Sequence, residues 1–182
     1  MNICVFLSAT NLDERYARPV RDFGTLLAEY GHTLVWGGSN VGLMKVIADS
    51  VAEAGGSMIG VSVEFLSHIV RPGVDEMIVT ADLAERKELL REKADVVVVA
   101  PGGMGTLDET TDILELKNHY KTGVPVIMLN TEGFYNGLRE QFQRMEQDGF
   151  LPIPLAELVH FADTEQDVFA YLDSRAEAAA AA

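Results

Sequence analysis

Several things are scarce in this chain, and each scarcity excludes something. One cysteine, Cys4, stands among 182 residues, so no intrachain disulfide can form. Its place in the apolar run Ile3-Cys4-Val5-Phe6-Leu7 reads as a buried thiol. Positive charge is short as well: 14 Lys plus Arg stand against 28 Asp plus Glu, a formal net charge of −14. That balance argues against nucleic acid or an anionic membrane as a bulk partner, and leaves room for a small phosphorylated ligand on a local cationic patch. No apolar run approaches the roughly 20 residues of a membrane span, and Met1 to Leu7 lacks the basic-then-apolar layout of a signal peptide, so a cytoplasmic location is expected. The four histidines, His32, His68, His119 and His160, show no metal-ligand spacing among themselves or with Cys4, and no metal is expected. Also missing are a Gly-Lys-Ser/Thr phosphate loop, a G-x-G-x-x-G after the first strand and a G-x-S-x-G nucleophile elbow.

What is present is organised around Val96 to Glu109. Four consecutive valines predict a buried strand, Pro101-Gly102-Gly103-Met104-Gly105 a tight crossing, and Thr106 the start of a helix. The chain before and after repeats that rhythm. Strands are predicted at Asn2–Leu7, Thr33–Trp36, Met58–Val61, Glu76–Val79, Pro125–Leu129 and Leu158–Phe161. Helices are predicted at Glu14–Tyr30, Leu43–Ala54, Leu83–Lys93 (apolar face Leu83, Leu89, Leu90), Thr106–Tyr120, Phe134–Gln147 and Glu165–Leu172. The class is α/β, with a doubly wound, mostly parallel sheet covered by helices on both faces. Residues 1–175 read as one domain and 176–182 as an alanine-rich, frayed helical tail.

In such sheets ligands bind beyond the C-terminal ends of the strands, where three loops are expected to meet: Ser8–Asn11, Gly37–Gly42 and Pro101–Thr106. Backbone amides at Gly102, Gly103, Met104, Gly105 and Thr106 suit an anion, phosphate above all. Ser8, Ala9, Gly38, Ser39, Asn40, Gly42 and Met44 line the neighbouring loops. Glu109 falls three residues into the predicted helix with its carboxylate at the mouth of this site; alternatively Thr106 and Glu109 form only a T-x-x-E capping box. Arg86 and Lys87 sit early in their helix, where the dipole disfavours cations. Either Asp82 and Glu85 compensate at the surface, or the cations point into the cleft toward a phosphate or a catalytic carboxylate. Asp108 and Asp112 read as solvated acids, Tyr135 and Phe134 as packing residues, and the helix carrying Leu114, Leu116 and Tyr120 as a subunit-interface candidate.

These motifs together resemble the LOG (Lonely Guy) family, often labelled lysine decarboxylases. The match is P-G-G-x-G-T-x-x-E at Pro101–Glu109, R-K at Arg86-Lys87, the family's G-G-x-x-G-L-M loop at Gly38–Met44 with Ser39 in place of its second glycine, P-V-x-x-L-N at Pro125–Asn130 and G-F-Y-N at Gly133–Asn136. The resemblance implies a Rossmann-like fold, a homodimer or an assembly of dimers, and no cofactor. It implies cleavage of the N-glycosidic bond of an adenine or N6-modified adenine nucleoside 5′-monophosphate, releasing free base and ribose 5-phosphate. It carries catalysis to Glu109 and Arg86 and phosphate binding to Gly102–Thr106. Departures from the pattern at Ser8-Ala9-Thr10, Leu83-Ala84 and Leu116-Lys117-Asn118 point to an altered or relaxed base preference. A nucleotide-binding module without catalysis, and transfer of the ribosyl phosphate to an acceptor other than water, use the same loops and stand as the alternatives.

Overall fold

Val96–Val99 has no polar side chain to turn outward, and it lies buried at the centre of a seven-stranded sheet in the computed structural model, which describes residues 1–180. In chain order the elements are β1 (Asn2–Phe6), α1 (Glu14–Glu29), β2 (Thr33–Trp36), α2 (Gly42–Glu53), β3 (Ser57–Val63), β4 (Glu76–Thr80), α3 (Leu83–Glu92), β5 (Val96–Val99), α4 (Met104–Asn118), β6 (Val126–Leu129), α5 (Asn136–Gln147), α6 (Leu155–Leu158), β7 (His160–Ala162) and α7 (Glu165–Ala180). Two 3-10 turns, Glu64–Ile69 and Thr131–Gly133, complete the connections.

The strand order is β4-β3-β2-β1-β5-β6-β7, and all six neighbouring pairs are parallel, so the sheet is wholly rather than mostly parallel. The chain winds outward one way from β1 and then returns to lay β5 on its other side, with Ile3 opposite Val96 and Phe6 opposite Val99. That reversal makes the crevice beyond β1 and β5 the topological switch point. Alternate side chains of one strand feed opposite cores. Ile3 and Val5 join Phe23, Leu27 and Ile47 of α1 and α2 on one face; Cys4 and Phe6 join Leu90, Ile113 and Phe142 of α3, α4 and α5 on the other.

Five local expectations are corrected. Helix α4 starts at Met104, two residues before Thr106, because the glycines themselves turn the chain and Gly103 occupies the N-cap position. The predicted strand Leu158–Phe161 is divided into the helical turn α6 and a later β7, and α5 begins at Asn136 after the Thr131–Gly133 turn has used up Phe134 and Tyr135. Leu83, placed on the apolar face of α3, is 47% exposed, since only Leu90 and Arg86 of that helix are buried. Helix α7 runs on through Arg175 to Ala180 instead of stopping at Leu172, as expected of strong helix formers. The last two residues of the predicted tail lie outside the described residues.

Candidate functional site

Arg86 and Glu109 meet. Nη1 of Arg86 donates to Oε1 of Glu109 at 2.6 Å, and its Nε donates to the carbonyl of Val61 in β3 at 3.0 Å. Both side chains are buried. Helix α3 can aim a cation inward at its second turn because its start is capped by acids: Asp82 accepts from the amides of Ala84 and Glu85, and Glu85 reaches back to the amide of Ala81. Arg86 therefore points inward to a carboxylate, while Asp82 and Glu85 serve backbone amides and are not the partners of Lys87. Glu109 lies on the buried stripe of α4 with Thr106, Thr110, Ile113 and Lys117, so its carboxylate is in the protein and not at the mouth of the site. It takes no part in a capping box: it stands six residues past the Gly103 cap. Burial pushes its carboxyl above the usual carboxylate range, with Arg86 pulling it back by charge and hydrogen bond but not cancelling the rise. Cys4 lies beneath on the same face of the sheet, and burial raises its thiol well above the ordinary value, so it is inert as a nucleophile.

The start of α4 is left open. Gly103 supplies no side-chain cap, and the first backbone bond into the helix is Leu107 N–H to the Gly103 carbonyl at 3.0 Å. Among the described residues, no acceptor meets the amides of Met104, Gly105 and Thr106. Gly103 and Gly105 have open space where a Cβ would be, whereas a Cβ on Gly102 would strike the Thr106 side chain at 2.1 Å. Tyr135, expected only to pack, donates its hydroxyl to the Ala100 carbonyl at 2.8 Å and pins the exit of β5. A small cavity of about 260 Å³ adjoins the loop, with Ser8, Thr10, Tyr16, Pro101, Gly102 and Phe134 in its walls.

The other predicted residues divide. Ser8, Ala9, Gly42 and Met44 come together: Met44 N–H donates to the Ser8 carbonyl at 3.2 Å, and Gly42, at φ +60°, lies so close to the Ala9 backbone that a Cβ would fall 2.2 Å from its carbonyl carbon. Gly38, Ser39 and Asn40 are instead covered by residues 69–71. Arg71 N–H donates to the Gly38 carbonyl, Asn40 N–H to the Ile69 carbonyl, and the Arg71 guanidinium to the Asn40 side chain and Asp49. Lys87 does not enter the crevice. Although partial burial opposes its charge, hydrogen bonds to Asp112 and Asp108 raise its ammonium above the ordinary value, so these acids are partners and not simply solvated. Gly37, read from sequence only as the first residue of the Gly37–Gly42 loop and not as a site residue, lies so close to Arg86 that a Cβ there would fall 2.3 Å from its Nη2. Its only signal was that two glycines follow Trp36.

The family described as "Possible lysine decarboxylase" matches residues 44–172. A cytokinin riboside 5′-monophosphate phosphoribohydrolase of Mycobacterium tuberculosis is 30% identical over 91% of this chain and 89% of its own. The enzyme of the same name, LOG5, from Arabidopsis thaliana is 34% identical over 82% of this chain and 67% of its own. Among solved structures, the molybdenum cofactor binding protein of Rippkaea orientalis superposes with a TM-score of 0.74 at 25% identity, covering 95% of each chain. The Moco carrier protein of Chlamydomonas reinhardtii matches with the same TM-score, identity and coverage.

Proposed function

The chain belongs to the LOG family of cytokinin riboside 5′-monophosphate phosphoribohydrolases, and from that membership we propose how its own residues carry out the family's reaction. It hydrolyses the N-glycosidic bond of a purine nucleoside 5′-monophosphate, releasing free base and ribose 5-phosphate. In our reading the 5′-phosphate rests on the amides of Gly103 to Thr106 at the positive end of α4. Five residues further on, about 7.5 Å along the helix axis, the Glu109 side chain tilts back toward that end. The two lie about one ribose phosphate apart, which brings C1′ to the carboxylate.

Positive charge develops on the sugar as the base departs, and Glu109 stabilises it and takes a proton from the attacking water. One carboxylate oxygen is held by Arg86, which fixes the orientation of the other. A raised pKa brings the base closer to neutrality, where general-base catalysis is most effective. Phosphate binding away from the reacting bond positions the sugar. The observation that carries this reading is the buried 2.6 Å contact of Arg86 with Glu109, on two helices that flank β5. We further propose that the base is adenine or N6-modified adenine, that the protein is a cytoplasmic homodimer or assembly of dimers, and that Ser8, Ala9 and Met44 border the ligand.

The structural neighbours named for binding a cofactor support a second reading, in which the site holds a phosphorylated ligand without cutting it. Incubation with AMP and with N6-isopentenyl-AMP, followed by chromatography of free base, separates the two. Base release that is nearly abolished in Glu109→Gln, with nucleotide binding retained, is the expected result; full turnover in that variant refutes the assignment. A decarboxylase would need a lysine free to form a Schiff base, and Lys87 is held between two aspartates.

A further inference from the structure

A second cavity, of about 340 Å³, opens at the other end of the sheet. It is bordered by Val126 and His160, the first residues of β6 and β7, whereas the phosphate seat lies beyond the last residues of β1 and β5. The functional side chains around it are Lys117, Tyr120, Glu157, His160, Tyr171 and Arg175. Lys117 is 9% exposed, and its Nζ has one hydrogen-bond acceptor among the described residues, the Val124 carbonyl at 3.0 Å. An ammonium carries three donors, and lysine is almost never buried to this degree without a charged partner. Arg175 is brought to the same space by Tyr171: its Nη1 donates to the Tyr171 hydroxyl, and the Tyr171 ring stacks on His160 at 4.0 Å with planes 7° apart. Neither Lys117 nor Arg175 forms an ion pair among the described residues, although the chain carries 28 acidic residues against 14 basic ones. Burial, with Arg175 adding to it, lowers the Lys117 ammonium below its ordinary value, and Glu157 opposes that.

We propose that this cavity is a second anion site, which takes the phosphate group of a small phosphorylated molecule between Lys117 at its floor and Arg175 at its mouth. Among the residues that line the cavity two are cations and one, Glu157, is a carboxylate, with Asp167 acting on His160 from beside it. Phosphate presents three strong acceptor oxygens and can meet both cations at once, with the Tyr171 and His160 rings beside it for an organic body. The volume falls within the range of small-ligand pockets. The competing account is that Lys117 merely ties the end of α4 to Val124.

The test is a titration of the ¹⁵N-labelled full chain with inorganic phosphate and, separately, with acetate, read by amide chemical shifts. Phosphate is expected to move Val126, His160 and Tyr171 saturably, apart from its effect at Gly103 to Thr106. Lys117→Met, whose flexible apolar side chain fills the same volume, is expected to abolish the distal shifts and keep those at the start of α4. Arg175→Ala, at an exposed position, is expected to weaken the distal response at least fivefold. Absence of distal shifts at phosphate concentrations that saturate the α4 site, or unchanged distal shifts in Lys117→Met, overturns the proposal. An equal distal response to acetate overturns the phosphate assignment.

Discussion

Glu109 and Arg86 have been removed from water together, so each depends on the other. Leaving one member of such a pair alone costs about 3–5 kcal/mol, chiefly through the uncompensated charge. Arg86→Ala is therefore expected to lower the free energy of urea unfolding by several times the effect of an exposed substitution such as Arg18→Ala. The raised carboxyl also sets a pH dependence. The folded protein keeps this proton to higher pH than the unfolded chain does, so the stability it contributes is complete below the ordinary value of 4.5 and is lost as pH rises through the folded value. Unfolding free energy measured from pH 4 upward should fall in that window for the native chain and stay flatter for Glu109→Gln. The same ionisation switches the base on, so the acid limb of kcat/KM is expected above 4.5. Gly37 supplies a sharper probe: a methyl group there must displace the Arg86 guanidinium, whose Nη2 would lie 2.3 Å away. Because misplacement by about 1 Å can cost 10²-fold in rate, Gly37→Ala is expected to lose base release 10- to 100-fold, by product assay, while melting within a few degrees of the native chain. The glycine was visible in the sequence; its purpose was not, because the contact crosses from the β2 exit to α3.

At the scale of elements, α4 begins without a side-chain cap, and that omission is what leaves amides for a ligand. Gly103 has φ −92° and open space at its Cβ position, so an ordinary residue fits there. Gly103→Asp is expected to stabilise the helix by a few tenths of a kcal/mol and, by placing its own carboxylate on the seat, to raise KM for the nucleotide at least tenfold; thermal melting and initial-rate kinetics read the two effects separately. The loop, the strand before it and the helix after it were all legible in residues 96–109, because β-branched residues and glycines act locally. The helix start was misjudged by two residues because T-x-x-E imitates a capping box. Tyr135 was missed for a different reason: its hydroxyl bonds Ala100, 35 residues earlier in the chain, and no periodicity reports such a contact. Tyr135→Phe leaves that buried carbonyl unpaired, which should cost about 1–3 kcal/mol in urea unfolding and slow base release through a loosened loop.

At the scale of the molecule, the loops expected to meet do so in part, Ser8 and Ala9 with Gly42 and Met44 but not Gly38–Asn40, which residues 69–71 cover; the α/β class could be read from the alternation of strands and helices. The order of the strands could not, since nothing in the runs of valine and isoleucine says which strand lies beside β1. A homodimer or an assembly of dimers is the expected solution state, and sedimentation equilibrium should give an even multiple of the 19.9 kDa chain mass. The β1–β5 pairing also has a temporal side. Ile3 must wait for Val96 before the crevice between them exists, and pairings that close such long loops are slow to form. During synthesis the first half of the chain can assemble β1 to β4 while one flank of β1 stays bare. On the proposed reading the phosphate seat and Glu109 follow β5 in the chain, so nucleotide recognition waits until both β5 and α4 have been made and packed beside β1.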